Sequence, residues 1–162
     1  MKIVITSDCH GNDEFLKKIA VKEKDADWVV HCGDSCGLEN RFGYIFQNSK
    51  VAMVAGNCDF SPFLREYIIF EAGKFRVFVF HGNQVQGYEH RKIAYLGKRR
   101  GCNVVMCGHT HVPFVDTETD PEVTIINPGS VARPRQENRK KSYAVMKIDD
   151  DGNAEYEIIY DA

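Results

Sequence analysis

The sequence predicts one α/β domain made of two packed sheets with helices outside. Three observations carry this prediction. The first third of the chain alternates short apolar runs with amphipathic stretches, the pattern of parallel strands joined by helical crossovers. The rest is mostly strand-like, with turn signals between the runs. A length of 162 residues suggests a single domain and suffices to bury a core without staples.

Residues 2–7 (KIVITS) are β-branched and almost continuously apolar, as in a strand covered on both faces. A polar turn follows, where Asn12 or Asp13 can cap a helix. Phe15, Leu16, Ile19 and Ala20 then recur at helical spacing. Residues 27–32 predict a second buried strand, ended by Gly33 and Asp34. Residues 38–47 predict a helix, and 51–55 a third strand ending at Gly56. Residues 64–71 and 74–80 predict a hairpin joined at Ala72-Gly73. A helix rich in Lys and Arg is expected over 88–99. Strands are expected over 103–107, 112–117, 122–126, 142–148 and 155–160, with Asp149 to Asn153 as the last turn. The basic stretch 133–141 (RPRQENRKK) is expected as an exposed loop. No repeat, low-complexity segment or linker interrupts the chain.

Composition excludes several classes. A formal charge of −2 gives no basic footprint for nucleic acid backbones, which argues against a nuclease acting on long polymers. No apolar run approaches the length of a membrane span. The opening MKIVITSDCHGN turns polar too soon for a signal peptide, so a cytoplasmic location is expected. The six cysteines lie inside apolar runs or beside candidate ligands, which favours reduced thiols over disulfides. Cys32 and Cys36 have no second pair at zinc-finger spacing.

The placement of ligand-type residues is the functional signal. Asp8 and His10 follow the first strand, Asp34 the second and Asn57 the third. His81 follows the strand at 74–80, and His109 and His111 follow that at 103–107. Functional groups in α/β sheets gather beyond the carboxyl ends of strands. Gly11, Gly33, Gly56, Gly82 and Gly108 adjoin these positions and permit sharp turns. A lone Asp there is usually a turn former, and a lone His is usually structural. Repetition at five strand ends is hard to assign to turn chemistry. Four His, two Asp and one Asn are too many ligands for one tetrahedral site and suit two metals sharing a carboxylate. Asp8/His10 and His109/His111 are i, i+2 pairs, which share a face on an extended segment and can splay to adjacent ions on a tight loop.

The order D-x-H, G-D, G-N-x-D, H-G, G-H-T-H, running from Asp8 to His111 and extended by Asn127-Pro128-Gly129-Ser130, resembles the calcineurin-like metallophosphoesterase superfamily. Within it, the chain is similar to the small prokaryotic phosphodiesterase branch. The resemblance implies a sandwich of two mixed β-sheets flanked by helices. It implies a first metal on Asp8, His10 and His111, and a second on Asn57, His81 and His109. Asp34 would bridge both, together with a water or hydroxide that attacks phosphorus in line. The implied cofactors are two divalent transition-metal ions from among Mn, Ni, Fe, Co and Zn. The implied partner is a small phosphate ester.

One departure concerns catalysis. Much of the superfamily has G-N-H-[DE], where the His is thought to protonate the leaving oxygen, oriented by the acid. This chain has Gly56-Asn57-Cys58-Asp59, a Cys that the small branch shares. A thiol with a reference pKa of about 8.5 holds a proton near neutrality but matches the task less well than imidazole. Catalytic roles are therefore expected for Asn57, Cys58 and Asp59, and Cys58 as mere space-filling is the competing reading. Substrate contacts are expected of Asn12, Ser130 and Arg133, against helix capping for Asn12 and a solvated loop for the Arg. His31 reads as a core His and His90 as a surface one. The side chains of Cys9 and Cys107 should point away from the metals. A phosphomonoesterase, or a non-catalytic scaffold like a eukaryotic retromer subunit of this fold, are the alternative functions. A nucleotide-binding regulator without turnover is a third. A symmetric homodimer is the expectation for assembly.

Overall fold

The computed structural model describes residues Met1 to Ala162. One mixed sheet has the order β10-β9-β1-β2-β3. Its strands are β1 (Lys2–Thr6), β2 (Trp28–His31), β3 (Lys50–Met53), β9 (Ser142–Ile148) and β10 (Ala154–Tyr160). The second has the order β4-β5-β6-β8-β7, from β4 (Tyr67–Ala72), β5 (Phe75–Phe80), β6 (Val104–Met106), β7 (Phe114–Asp120) and β8 (Val123–Asn127). Strands β1, β2 and β3 run parallel in the first sheet. Strands β5, β6 and β8 run parallel in the second. The antiparallel strands β10, β4 and β7 occupy sheet edges.

Alternation along the strands sorts side chains between two faces. Ile3, Ile5 and Val30 of one sheet meet Val77, Val79, Val104, Met106 and Ile126 of the other, all at most 1% exposed. Each such side chain contributes roughly 1.5–3 kcal/mol on burial. The opposite faces carry the helices. Helix α1 (Glu14–Lys22) lays Phe15, Leu16 and Ile19 against Val4, Val29 and Val145. Helix α3 (His90–Arg99) lays Ile93 and Ala94 against Phe78, Val105 and Ile125. The architecture is the sandwich of two five-stranded mixed sheets flanked by helices that the sequence predicts.

Four details differ from expectation. The helix expected over 38–47 shrinks to a 3-10 turn at Glu39–Arg41 and one α turn, α2 (Phe42–Ile45). That turn survives because Phe42 is fully buried, 4.6 Å from the His31 ring. Strand β4 begins at Tyr67 rather than residue 64, after a loop containing Pro62. The hairpin turn is Gly73-Lys74, with Gly73 at φ +59°. His90 is not a free surface residue: its ring stacks on Phe114 at 4.3 Å and its Nδ1 pairs with Asp116 Oδ2 at 2.5 Å.

Candidate metal centre

The parallel strands of both sheets end on one rim, and the loops leaving β1, β2, β3, β5 and β6 supply the ligand-type residues. These loops are not extended. Asp8 (φ +56°), His10 (+45°), Asp34 (+57°), His109 (+71°) and His111 (+60°) all adopt left-handed backbone, at roughly 1–2 kcal/mol each for a residue with a Cβ. Such strain persists only where the surroundings enforce it, and it clusters at functional sites. It turns Asp8 and His10 inward together and frees Cys9 to point away. Cys9 joins the core beneath α1, and Cys107 joins that beneath α3.

Three imidazoles are held from behind. The Nδ1–H of His81 donates to the Cys32 carbonyl at 2.7 Å, and that of His111 to the Arg133 carbonyl at 2.6 Å. The Nδ1 of His10 meets Cys36 Sγ at 3.6 Å. Carbonyl acceptors fix the tautomer, so the Nε2 lone pairs of His81 and His111 face inward. The two carboxylates are anchored alike. Asp8 Oδ2 accepts the His109 N–H at 3.1 Å, and Asp34 Oδ1 accepts the Cys58 N–H at 2.8 Å. Their other oxygens meet the imidazoles. Asp8 Oδ1 lies 3.1 Å from His111 Nε2 and 3.9 Å from His81 Nε2. Asp34 Oδ2 lies 3.4 Å from His81 Nε2 and 3.7 Å from His10 Nε2.

Those inward atoms are buried and poorly satisfied. Asp8, Asp34, His81 and His111 are at most 2% exposed, yet Asp8 Oδ1 and His81 Nε2 have no hydrogen-bond partner. The 3.1 Å approach of His111 to Asp8 Oδ1 lacks hydrogen-bond alignment. Unpaired buried groups of this kind are costly. Burial alone would push the Asp8 carboxyl up, but His111 and His81 outweigh it and hold it below the ordinary range. Burial also opposes the ionised Asp34, and His81 with the Cys58 N–H reverses that strongly. His81 is raised, its burial outweighed by Asp34 and Asp8, whereas burial lowers His10 and His109. Buried carboxylates facing imidazoles, with orphaned atoms between them, are a donor set that fits a divalent cation. Asp8, His10 and His111 form one group that could hold an ion, and Asp8, Asp34 and His81 another.

The remaining expected residues divide between the edge of this cage and purely structural positions. Asn57 is exposed, and its Oδ1 accepts from His109 Nδ1 at 3.1 Å, on the side where the His109 ring meets that of His81. Cys58 is half-buried beside Asp34, and burial with that carboxylate raises its thiol. Asp59 does not address Cys58. Its oxygens accept from the N–H groups of Asp34, Cys36 and Gly56 and from the Ser35 hydroxyl, at 2.7–2.9 Å, so it ties the two loops together.

Ser130 does not face a substrate: it is fully buried, donates to the Asp8 carbonyl and accepts from the Ala132 and Arg133 N–H groups. Asn12 is exposed and accepts the Glu14 N–H at the start of α1. Arg133 is exposed at the rim, where its charge lowers His10 and Cys36. His31 is a buried core residue bonded to Thr6.

Two residues escaped sequence reasoning. Cys36 supports His10, and its only sequence signal is its place two residues after Asp34. Tyr88 donates to the Gly108 carbonyl at 2.7 Å and accepts from Asn127 at 2.9 Å, bracing the loop of His109 and His111. Nothing local in the sequence marks it.

Comparison with known proteins agrees with this geometry. Residues 1–151 match the model of the calcineurin-like phosphoesterase superfamily domain. The chain is 34% identical to the probable metallophosphoesterase YsnB of Bacillus subtilis over 93% of its own length and 86% of that protein. A predicted phosphoesterase of Streptococcus pneumoniae superposes with a TM-score of 0.77 at 24% identity, covering 99% of this chain and 97% of that one. A structure described as a novel archaeal phosphodiesterase superposes at 0.71 with 21% identity, covering 98% and 100%. The chain belongs to the calcineurin-like phosphoesterase superfamily.

Proposed function

We propose that this chain is a phosphodiesterase that works with two divalent transition-metal ions on a small phosphate ester. One observation carries the reading: buried, unpaired Asp8 Oδ1 and His81 Nε2 face the imidazoles of His10 and His111 and the free oxygen of Asp34. Asp8, His10 and His111 would hold the first ion and Asn57, His81 and His109 the second. Asp34, whose Oδ2 lies 3.4 Å from His81 Nε2 and 3.7 Å from His10 Nε2, would be the carboxylate shared by the two ions. Mixed imidazole, carboxylate and amide donors suit Mn, Fe, Co, Ni or Zn. When bound, such a pair supplies Lewis acidity toward phosphoryl oxygens and activates water near neutrality.

The chain's own contribution is placement. The Cys32 and Arg133 carbonyls stop His81 and His111 from turning, which keeps the cage preorganised. Cys58, standing where much of the family has His, offers a thiol proton to the leaving oxygen. A thiol is a weaker match for that task, which favours esters with good leaving groups. Arg133 offers a guanidinium at the rim that can hold a phosphate oxygen pair. Cys58 and the archaeal phosphodiesterase of the same fold support diesters over monoesters.

The test is a panel of chromogenic mono- and diesters assayed with each divalent metal in turn. Metal-dependent diester hydrolysis is expected. Activity confined to monoesters would overturn the substrate class. Negligible bound metal with no hydrolysis would overturn the enzyme reading in favour of a scaffold.

A further inference from the structure

The thiols divide sharply by access. Cys9, Cys32, Cys102 and Cys107 are at most 3% exposed, whereas Cys36 and Cys58 are half-buried. These two accessible thiols are neighbours. The Sγ atoms of Cys36 and Cys58 and a ring nitrogen of His10 all lie within 4.8 Å of one another. The loops that carry them are locked together by Asp59, which accepts from the Cys36 N–H at 2.7 Å and the Gly56 N–H at 2.8 Å. The pair is therefore held in proximity by the fold.

We infer that Cys36 and Cys58 are an oxidisable pair that closes to an intrachain disulfide on exposure to hydrogen peroxide. Cys58, on the open loop, attacks the peroxide O–O bond, becoming a sulfenic acid as one water leaves. Cys36 sulfur then displaces the second oxygen as water, forming the S–S bond. Two thiols lose two electrons and two protons in total, and the peroxide takes up both. Thiol reductants reverse the bond.

The consequence reaches the metal cage through His10. Its Nδ1 has Cys36 Sγ as its partner at 3.6 Å, as His81 and His111 have carbonyls. Drawing that sulfur toward Cys58 removes the support. Loss of such a partner typically lowers metal affinity by about 10–100-fold. This consequence rests on the metal-centre reading above, while the disulfide does not.

The full chain is incubated with excess peroxide, alkylated without reductant and mapped by peptide mass spectrometry. Alkylation before oxidation should label Cys36 and Cys58, and afterwards neither. A cross-linked peptide pair should join them, with the chain still monomeric on a denaturing non-reducing gel and labelling restored by dithiothreitol. Cys36→Ser should instead trap Cys58 as a sulfinic acid. Over-oxidation of Cys58 in the wild type with Cys36 still alkylatable would overturn the pair, as would cross-links between chains. Manganese retention after gel filtration should fall about tenfold or more on oxidation. Unchanged retention alongside a mapped disulfide would overturn the coupling to His10. Absence of manganese, iron, cobalt, nickel and zinc alike, each offered in turn and in both redox states, would sink the metal-centre reading and the coupling together, a result the peptide map separates from failure of the disulfide.

Discussion

His81 Nε2 stands 3.4 Å from Asp34 Oδ2, and each group is fixed from behind by main chain, His81 on the Cys32 carbonyl and Asp34 on the Cys58 N–H. Neither can swing to relieve the contact. Against its burial, Asp34 and Asp8 raise His81, so the pair draws positive charge, either as a proton on the imidazole or as a cation held between the two groups. The fold thus places a cation-attracting pair on two side chains from different sheets.

His81→Ala should therefore remove a donor that no neighbour can replace. Manganese content after dialysis, read by elemental analysis, should fall by at least ~100-fold, beyond the usual loss for a supporting residue. Diester turnover should fall with it. A variant that retains full metal and full turnover would remove His81 from the centre.

Close packing behind the cage gives a second expectation. A Cβ on Gly108 would lie 1.9 Å from Ser7 Oγ and 2.8 Å from Asp8 Oδ2. Gly108→Ala should destabilise the chain by about 1–3 kcal/mol through overpacking, read as a lower urea midpoint. Gly43→Ala, where a Cβ meets nothing within 4 Å inside α2, is the control. It should be neutral or stabilising by up to ~1 kcal/mol.

The contrast between these glycines marks what the sequence makes legible. The strands at 2–6, 28–31, 75–80 and 104–106 declare themselves because buried parallel strands need long β-branched runs. The seven ligand-type residues declare themselves because chemistry needs donors at strand ends. The supports are silent. A thiol behind His10, the Tyr88 hydroxyl on Gly108 and the clamp of Asp59 depend on loops from distant strands meeting in space. The short α2 is obscured for a related reason, since the burial of Phe42 and not periodicity holds it. Alternation reaches the right outcome at Asp8 and His10, with Cys9 turned away, but by another geometry, since left-handed backbone replaces the extended segment.

Tyr88→Phe tests one of the silent supports. The hydroxyl donates to Gly108 and accepts from Asn127, in a position where a lost partner costs about 1–3 kcal/mol. The loop carrying His109 and His111 should loosen, with weaker metal retention and faster amide exchange at residues 107–111. Exchange unchanged from wild type would reduce Tyr88 to packing.

Cys58→His addresses the leaving group. The main-chain N–H of residue 58 holds Asp34, so the substitution leaves that support in place. General acid catalysis is typically worth about 10²–10⁴-fold. Turnover of an alkyl-like diester should rise, with little change for a nitrophenyl diester. No gain on the alkyl substrate would show that Cys58 is not the weak point.

His31 sets a pH dependence of stability away from the cage. It is fully buried between Thr6, Cys9 and Phe42, and desolvation depresses its pKa to about 4. The unfolded chain titrates this group near 6.5. Between those values the unfolded state binds the extra proton, so stability falls as pH drops from about 6.5 toward 4 and changes no further below. The interval corresponds to roughly 3 kcal/mol. His31→Gln, carrying no titrating ring, should flatten that part of the curve in metal-free protein. Urea unfolding across pH 7.5 to 4 compares the two, and parallel curves would show that the buried imidazole does not govern acid sensitivity.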